Sequence, residues 1–463
     1  MSNLHNATTA ATPAKKGLHY TTVWRWHFYA GLFCLPFILW LSCTGLIYLF
    51  KPQIDTWFDH PYDHLSIQQP HSPSEQVQAA LTAVPEGVFS AYEMPPSSDA
   101  AGRVLLAVND QIIKVYVHPE TLDVMKIINQ NDEFTRKIFA LHGEFMLGDL
   151  GSHIMQIAAG WTVVLIITGI FMWLGKGGKF KAAGMLYPRF RRKDRPFWKD
   201  LHSVLGFWFS IIVLFLIISG LPWSASWGAM LKNVREWTGY TQSQQDWVSS
   251  STEQAQQQKQ KFDQTKQQHA AHHGMIHATQ LDAAAMQTLD RVVAQTPGFQ
   301  FAAPVLVKPA IINMQQPWTV ESQAQNRTLR EKVFFNSQGE ISHYQHFSDQ
   351  LLLDRAIGYA VAIHEGRFFG WLNVFIGVVT LVSLILICTS ALEMWLKRKP
   401  AHVLGAPPMV LSQKLSWSVR ISIIILAILL PVLGLSLIAI VILEQCLFRR
   451  IPQWAHFLGL TTR

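Results

Sequence analysis

Four histidines recur at matched positions along this 463-residue chain, and their type and spacing could do chemistry. His27 and His202 each follow a tryptophan closely (Trp24, Trp198). Each precedes a glycine by four residues (Gly31, Gly206) and a Gly-Leu pair by eighteen (Gly45-Leu46, Gly220-Leu221). His142 and His364 each precede a glycine by six residues (Gly148, Gly370) and a Met-Trp pair by thirty (Met172-Trp173, Met394-Trp395). The register holds without a gap, so the chain reads as a duplicated unit with one histidine of each type per copy. Paired neutral imidazoles from different helices are what a six-coordinate haem iron needs, one on each side of the porphyrin plane. With no C-x-x-C-H for covalent attachment, the expected cofactor is two non-covalent b-type haems, and His27, His202, His142 and His364 are the expected iron ligands.

The glycines fit that reading. Gly31 lies one residue past a full turn from His27 on the same helical face, as Gly206 does from His202. A missing side chain lets a flat macrocycle approach the backbone. Gly45 and Gly220 lie five turns on, about 27 Å along the axis, at the depth where a second haem would sit. His153 rivals His142, but its repeat counterpart is Phe375, which cannot ligate, so His153 reads as interfacial. The stretch "HAAHHGMIH" places His269, His272, His273 and His277 near one helical face, a spacing compatible with a transition metal, although no carboxylate or thiol stands among them.

The elements that must position these residues cross a membrane. The chain is 49% hydrophobic and only 15% charged, too apolar for a soluble chain of this size. Apolar runs at 28–50, 154–174, 203–221, 371–392 and 421–443 each approach the roughly 20 residues that span a hydrocarbon core. The resulting fold class is an integral membrane α-helical bundle of five spans, the first four an internal duplication and the fifth outside it. The expected division is an N-terminal tail 1–22, spans 23–50, 154–174, 201–221, 371–396 and 420–447, and a C-terminal tail 448–463. Between them lie segments 51–153, 175–200, 222–370 and 397–419. The first span lacks a small-residue cleavage site and reads as an uncleaved signal anchor with the N-terminus inside.

Orientation follows the Lys/Arg bias. The loop 175–200 carries nine Lys or Arg against two Asp, and 397–420 carries five and no acid, so both are expected to be cytoplasmic. Segments 51–153 and 222–370 are then exported. Contact with anionic lipid headgroups accounts for the net charge of +8, and no nucleic-acid partner is expected. Cys34, Cys43, Cys388 and Cys446 all fall in apolar spans, which leaves no disulfide framework. In the exported segments, "RVLLAVNDQIIKVYVHPETLDVMKII" and "NRTLREKVFFNSQGEISHYQHF" read as alternating strands broken by the turns "HPETLD" and "NSQGE". Each implies a small α+β module. The polar Gln-rich stretch 241–268 reads as an insertion in the second.

The set "WRWHFYAG", "ALHGEFMLG", "KDLHSVLG" and "AIHEGRFFG", with "KVYVHPETLDVM" between the first two, resembles the PepSY-associated transmembrane proteins of bacterial inner membranes over about residues 20–400. The resemblance implies two periplasmic PepSY-like modules. Similarity to members described as di-haem ferric-siderophore reductases implies reduction of ferric siderophores at the periplasmic side. One departure is that "HPETLD" lacks the glycine usual in the first module's turn, which "NSQGE" keeps. Ferrous iron fits hard oxygen donors less well than ferric iron, so one-electron reduction is a sensible release step. The chain has no G-x-G-x-x-G after a strand and no Cys-rich iron-sulfur motif, so the electron donor is expected to be a quinol or a separate cytoplasmic reductase. Arg136, Arg355, Arg367, Trp223 and Trp227 are the candidate substrate contacts near the helix mouths. Two other functions fit the same residues: a haem relay to another periplasmic acceptor, and a haem-free anchor whose modules restrain a peptidase.

Overall fold

The computed structural model describes residues 20–109, 111–174, 182–191, 194–238, 282–310, 317–407, 409 and 417–460. The Gln-rich stretch 241–268 and the cluster His269–His277 lie outside the described residues. In chain order the first elements are α1 (Tyr20–Tyr48), α2 (Lys51–Asp59), α3 (Pro73–Ala83), β1 (Val88–Glu93), β2 (Gly102–Val108), β3 (Gln111–Val117) and β4 (Val124–Asn129). Then come α4 (Phe134–Glu144), α5 (Asp149–Leu174), α6 (Asp194–Gly220), α7 (Ala225–Trp237) and α8 (Ala283–Gln295). Strands β5 (Val305–Lys308), β6 (Trp318–Ser322), β7 (Lys332–Phe335) and β8 (Ile341–Gln345) follow. The chain closes with α9 (Leu352–His364), α10 (Trp371–Leu396), α11 (Trp417–Leu429), α12 (Pro431–Leu443) and α13 (Pro452–Phe457).

Among the described residues five helices are long and apolar enough to cross a membrane: α1, α5, α6 with its extension to Trp223, α10, and α12 with its extension to Phe448. They leave large apolar side chains such as Ile211, Trp371, Phe375 and Ile438 exposed, as lipid-facing surfaces do. Helices α5 and α6 begin several residues before their apolar runs because Asp149 and Asp194 stand in their first turns, where a carboxylate complements the helix dipole. The fifth span departs from the continuous helix expected over 420–447. It is broken between α11 and α12, because Pro431 has no N–H and drives Leu430 out of helical geometry, to φ −125 and ψ 78.

Chain contacts divide the molecule into two compact units: one of Met1–Leu35, Ile157–Trp208 and Ile387–Arg463, the other of Pro36–Gln156 and Phe209–Leu386. In the first, α12 packs on α5. Gly160 lets Leu433 approach, with 3.0 Å from an added Cβ to the Leu433 side chain, and Trp161 Nε1 donates to Ser436 Oγ at 3.1 Å. The buried Arg25 of α1 donates to the carbonyls of Pro407 (2.6 Å) and Gly459 (2.9 Å), and the Tyr29 hydroxyl donates to Leu458 O. Two distant connections are thereby fixed to one helix.

The second unit holds an eight-stranded antiparallel sheet in the order β4-β3-β2-β1-β5-β6-β7-β8. Each half is one helix followed by four strands, and the halves join at β1–β5 through the pairs Tyr92↔Val307 and Glu93↔Leu306. Alternation along the strands separates two faces. Val104, Leu106, Val115, Val117, Val307, Val320, Val333 and Phe335 point to one face and bury against Val77, Ala80 and Leu81 of α3 and Leu289 and Val292 of α8. The intervening residues of the other face carry a buried ionic network. Arg103 meets Asp59, Asp63 and Glu93, Lys114 meets Glu93 and Glu133, and Glu321 sits between Lys308 and Lys332. The turn "HPETLD" closes without glycine because Leu122 takes a positive φ of 59, the role that Gly339 fills at φ 78 in "NSQGE". Helix α4 leaves β4 and α9 leaves β8, and these two short helices carry His142 and His364.

Candidate functional site

Each unit contains one histidine pair. In the first, His27 stands on α1 and His202 on α6, with ring centroids 6.2 Å apart and ring planes perpendicular. His27 Nδ1 lies 2.9 Å from Thr168 Oγ1 of α5. His202 Nδ1 lies 3.1 Å from Ile387 O and 3.2 Å from Ser390 Oγ of α10. In the second unit, His142 Nδ1 lies 2.9 Å from Thr44 Oγ1 of α1, and His364 Nδ1 lies 2.7 Å from Ser219 Oγ of α6.

These contacts suit one tautomer at all four rings. A hydroxyl has one proton to donate. Thr168 gives its proton to Val164 O (2.6 Å), Thr44 to Trp40 O (2.8 Å) and Ser219 to Phe215 O (2.7 Å). With its proton so placed each hydroxyl accepts toward the imidazole, and in that arrangement Nδ1 carries the hydrogen. The Ile387 carbonyl, which can only accept, imposes the same on His202. In that arrangement all four rings present an Nε2 lone pair, the state in which a neutral imidazole ligates a metal. His142 and His364 lie on helices outside the spans, and burial pushes both down to about 4, with His364 adding to the effect at His142. They stay neutral at physiological pH.

Glycines seat the rings. A Cβ added at Gly169 would lie 3.3 Å from His27 Cε1, one at Gly45 3.3 Å from His142 Cε1, and one at Gly220 3.6 Å from His364 Cε1. Gly45 and Gly220 thus make room for an imidazole of the second pair. Gly31 meets Leu165 at an ordinary 3.7 Å, and Gly206 faces open space. The hydroxyls and Gly169 escaped the sequence reading, although a signal exists: "CTGL" (43–46), "ITGI" (167–170), "ISGL" (218–221) and "TSAL" (389–392) each pair a hydroxyl with a small residue. Thr44 and Ser219 follow His27 and His202 by seventeen residues; Thr168 and Ser390 follow His142 and His364 by twenty-six. Each hydroxyl serves a histidine of the other pair.

Two imidazoles suit a metal that brings its own equatorial donors. Among the described residues no three His, Cys, Asp or Glu side chains gather around one point, so the pairs do not extend into a conventional metal-ion cage. His153 turns to its own helix, with Nδ1 2.5 Å from Asp149 O.

Of the candidate substrate contacts, Arg367 lies three residues beyond His364, and Trp223 lies three beyond Gly220 with the Arg327 guanidinium 5.3 Å over its ring. Arg136, on α4, shares the surroundings of Tyr48 with Arg327, Glu365 and Asp55. Trp227 stands on α7, and Arg355 is nine residues before His364 on α9.

A chain with five helices able to cross a membrane and a separate antiparallel sheet is a multi-pass membrane protein with a soluble domain, in contact with the lipid bilayer. Its sequence matches the PepSY-associated TM region over residues 24–398, a stretch that includes all four histidines, and the chain belongs to that family. No curated protein matches it.

Proposed function

We propose that this is a di-haem b protein of the bacterial inner membrane that reduces ferric iron in siderophores on the periplasmic side and releases it as ferrous iron. His27 and His202 would hold one haem and His142 and His364 the other. The observation that carries this reading is that four partly buried histidines stand in two pairs, each with Nδ1 against a hydroxyl or carbonyl, an arrangement that leaves Nε2 of each ring available as a ligand. When bound, each haem supplies one-electron Fe(III)/Fe(II) exchange.

The chain's own residues bind and orient. Thr168, Ser390, Thr44 and Ser219 fix ring rotation, while Gly169, Gly45 and Gly220 admit the rings between helices. The Lys/Arg bias of the loops supports an N-terminus and first pair that face the cytoplasm, where a quinol or a separate reductase would donate electrons. The matching order of helix and four strands in each half of the sheet supports a duplicated unit with two PepSY-like modules.

The test is a visible spectrum and pyridine haemochrome assay on detergent-purified protein, with ferrous iron captured by ferrozine after a ferric siderophore is added to reduced protein. Two haems per chain are expected. His27→Ala and His202→Ala should remove one spectral component, and His142→Ala and His364→Ala the other. Colourless protein, or His27 and His364 variants losing the same component, would defeat the reading.

A further inference from the structure

The last apolar segment, α11 and α12, lies wholly within the first unit and doubles back on itself. A Cβ added at Gly434 of α12 would lie 3.1 Å from Ala427 Cβ and 3.0 Å from Ala427 O of α11. Residues seven apart in one straight helix stand two turns apart, about 10.5 Å along the axis, so a contact this close requires the chain to reverse between them. Pro431 makes the reversal. It has no N–H to give Ala427 O, and Leu430 before it leaves helical geometry. Each arm is 13 residues long, a length that suits a re-entrant segment better than a crossing.

Both ends of the segment return to one residue. The Arg25 guanidinium donates through Nη1 to Pro407 O, before α11, and through Nη2 to Gly459 O, beyond α12. Leu404 N bonds Phe457 O at 2.9 Å and closes the same neck. The apex lies deeper. Helices α1 and α5 run antiparallel, with His27 beside Thr168, Gly31 beside Leu165, and Cys34 Sγ 3.7 Å from Ala158 O. Leu433 and Ser436, just past the apex, rest on Gly160 and Trp161 of α5, level with residues 31–34 of α1. That depth is at most about 14 Å beyond Arg25, under half of a hydrocarbon core of roughly 30 Å.

Charge agrees with the geometry. The stretch 397–420 carries five Lys or Arg and no acid, and 444–463 carries three Arg against Glu444 alone. A crossing would send one of these basic flanks to the face opposite the other, against the bias that such flanks obey. Trp417, with the Arg420 guanidinium 5.3 Å over its ring, stands at one foot, and Trp454, 5.6 Å from Phe448 and near Arg449, at the other. Between feet and apex Ile421, Ile424, Ile428, Leu435, Ile438 and Ile442 are exposed. We propose that α11 and α12 form a re-entrant helical hairpin that enters and leaves the membrane through the face bearing the N-terminus. The chain then crosses four times, and its C-terminal segment shares the N-terminal side. The hairpin's partner is a single leaflet, with acyl chains around its isoleucines and leucines and anionic headgroups at its arginine feet.

The experiment uses the full chain and is independent of any cofactor. In right-side-out and inverted membrane vesicles, an impermeant maleimide probes Thr8→Cys, Gln338→Cys and Thr462→Cys, each in a Cys43→Ala/Cys446→Ala background. Thr462→Cys should label in the same vesicles as Thr8→Cys and in the opposite ones from Gln338→Cys; labelling together with Gln338→Cys overturns the proposal. In lipid nanodiscs, nitroxides on Ser418→Cys and on the native, exposed Cys446 give the fold of the hairpin by electron-electron distance. One straight helix would hold them about 42 Å apart, whereas the hairpin brings them within about 25 Å. A separation near 40 Å sinks it even if the labelling agrees. A third nitroxide, on Ile424→Cys, reads the partner: dissolved oxygen, which concentrates in lipid, should relax it more than an aqueous nickel complex does. Protection from both would mean that a second copy or another protein covers this face, and the leaflet would be the wrong partner.

Discussion

The two histidine pairs use the same lock and different mountings. His27 and His202 sit on long spanning helices, α1 and α6, of 29 and 27 residues, whose own hydrogen bonds hold their backbones apart from the one that Pro36 removes from α1. His142 and His364 sit on short helices whose place depends on the sheet. Lys114 of β3 holds Glu133 at the start of α4 at 2.8 Å, and Phe347, just past β8, packs edge-on against Tyr359 of α9 at 5.3 Å. The first pair should therefore tolerate damage to the soluble domain, while the second should report it. Identical ligand chemistry can have different fragility when the supports differ in cooperativity.

The comparison can be broken most forcefully at the core. Phe335 is fully buried in β7, and Phe335→Ala should cost about 3–5 kcal/mol through lost burial and a residual cavity. In haem-loaded protein the component assigned to His142 and His364 should melt earlier, with the other unmoved; simultaneous loss of both would erase the distinction. Acid offers a gentler route. Burial alone would lift the Glu321 carboxyl, but Lys308 and Lys332 hold it down from 4.5 to about 2. A carboxyl depressed in the folded state stabilises fully above its unfolded pKa and loses that contribution as pH falls. The sheet should weaken by at most about 3 kcal/mol between about pH 4.5 and 2. Hydrogen exchange of β6 amides would follow this, and Glu321→Gln should flatten the pH dependence.

The lock itself is tested next. Thr168→Val and Thr44→Val remove the acceptor at Nδ1, and each should weaken cofactor retention by about 10–100-fold at the pair it serves. Thr44→Val, although on the same helix as His27, should affect the His142 pair; an effect on the His27 component would refute the crossed assignment. The smallest effect is expected at the turns. Gly339→Ala forces a Cβ into a backbone at φ 78 and should cost about 1 kcal/mol in a denaturant melt of the soluble domain, without touching the first pair.

The four histidines were legible because a duplicated register exposes a recurring residue type, and the structure brings them together in two pairs. The hydroxyls were written just as regularly, as "CTGL", "ITGI", "ISGL" and "TSAL", yet their partners were not. Register aligns Thr44 with Ser219 but cannot tell that α1 brings Thr44 to His142, because that contact is tertiary. Gly45 and Gly220 were read at the depth of a second haem, and in the structure each lies beside an imidazole, His142 and His364. The break in the last span was visible as Pro431 inside an apolar run and is hidden only if hydropathy is read without backbone stereochemistry. That two strand sets form one sheet was invisible, since β1 and β5 are separated by some two hundred residues.

That seam has a mechanical consequence. The paired residues at β1–β5 join the half that ends in α4 to the half that ends in α9, so His142 and His364 are the two jaws of one calliper with the seam as its fixed scale. A slip of two residues there would preserve which faces are apolar and yet slide one half along the other by about 6.6 Å. That is as far as the centroid spacing of the first pair, enough to part the jaws from anything they grip in common. The spacing of two side chains is thus gauged by strand pairing around Tyr92 and Val307, where neither histidine is present.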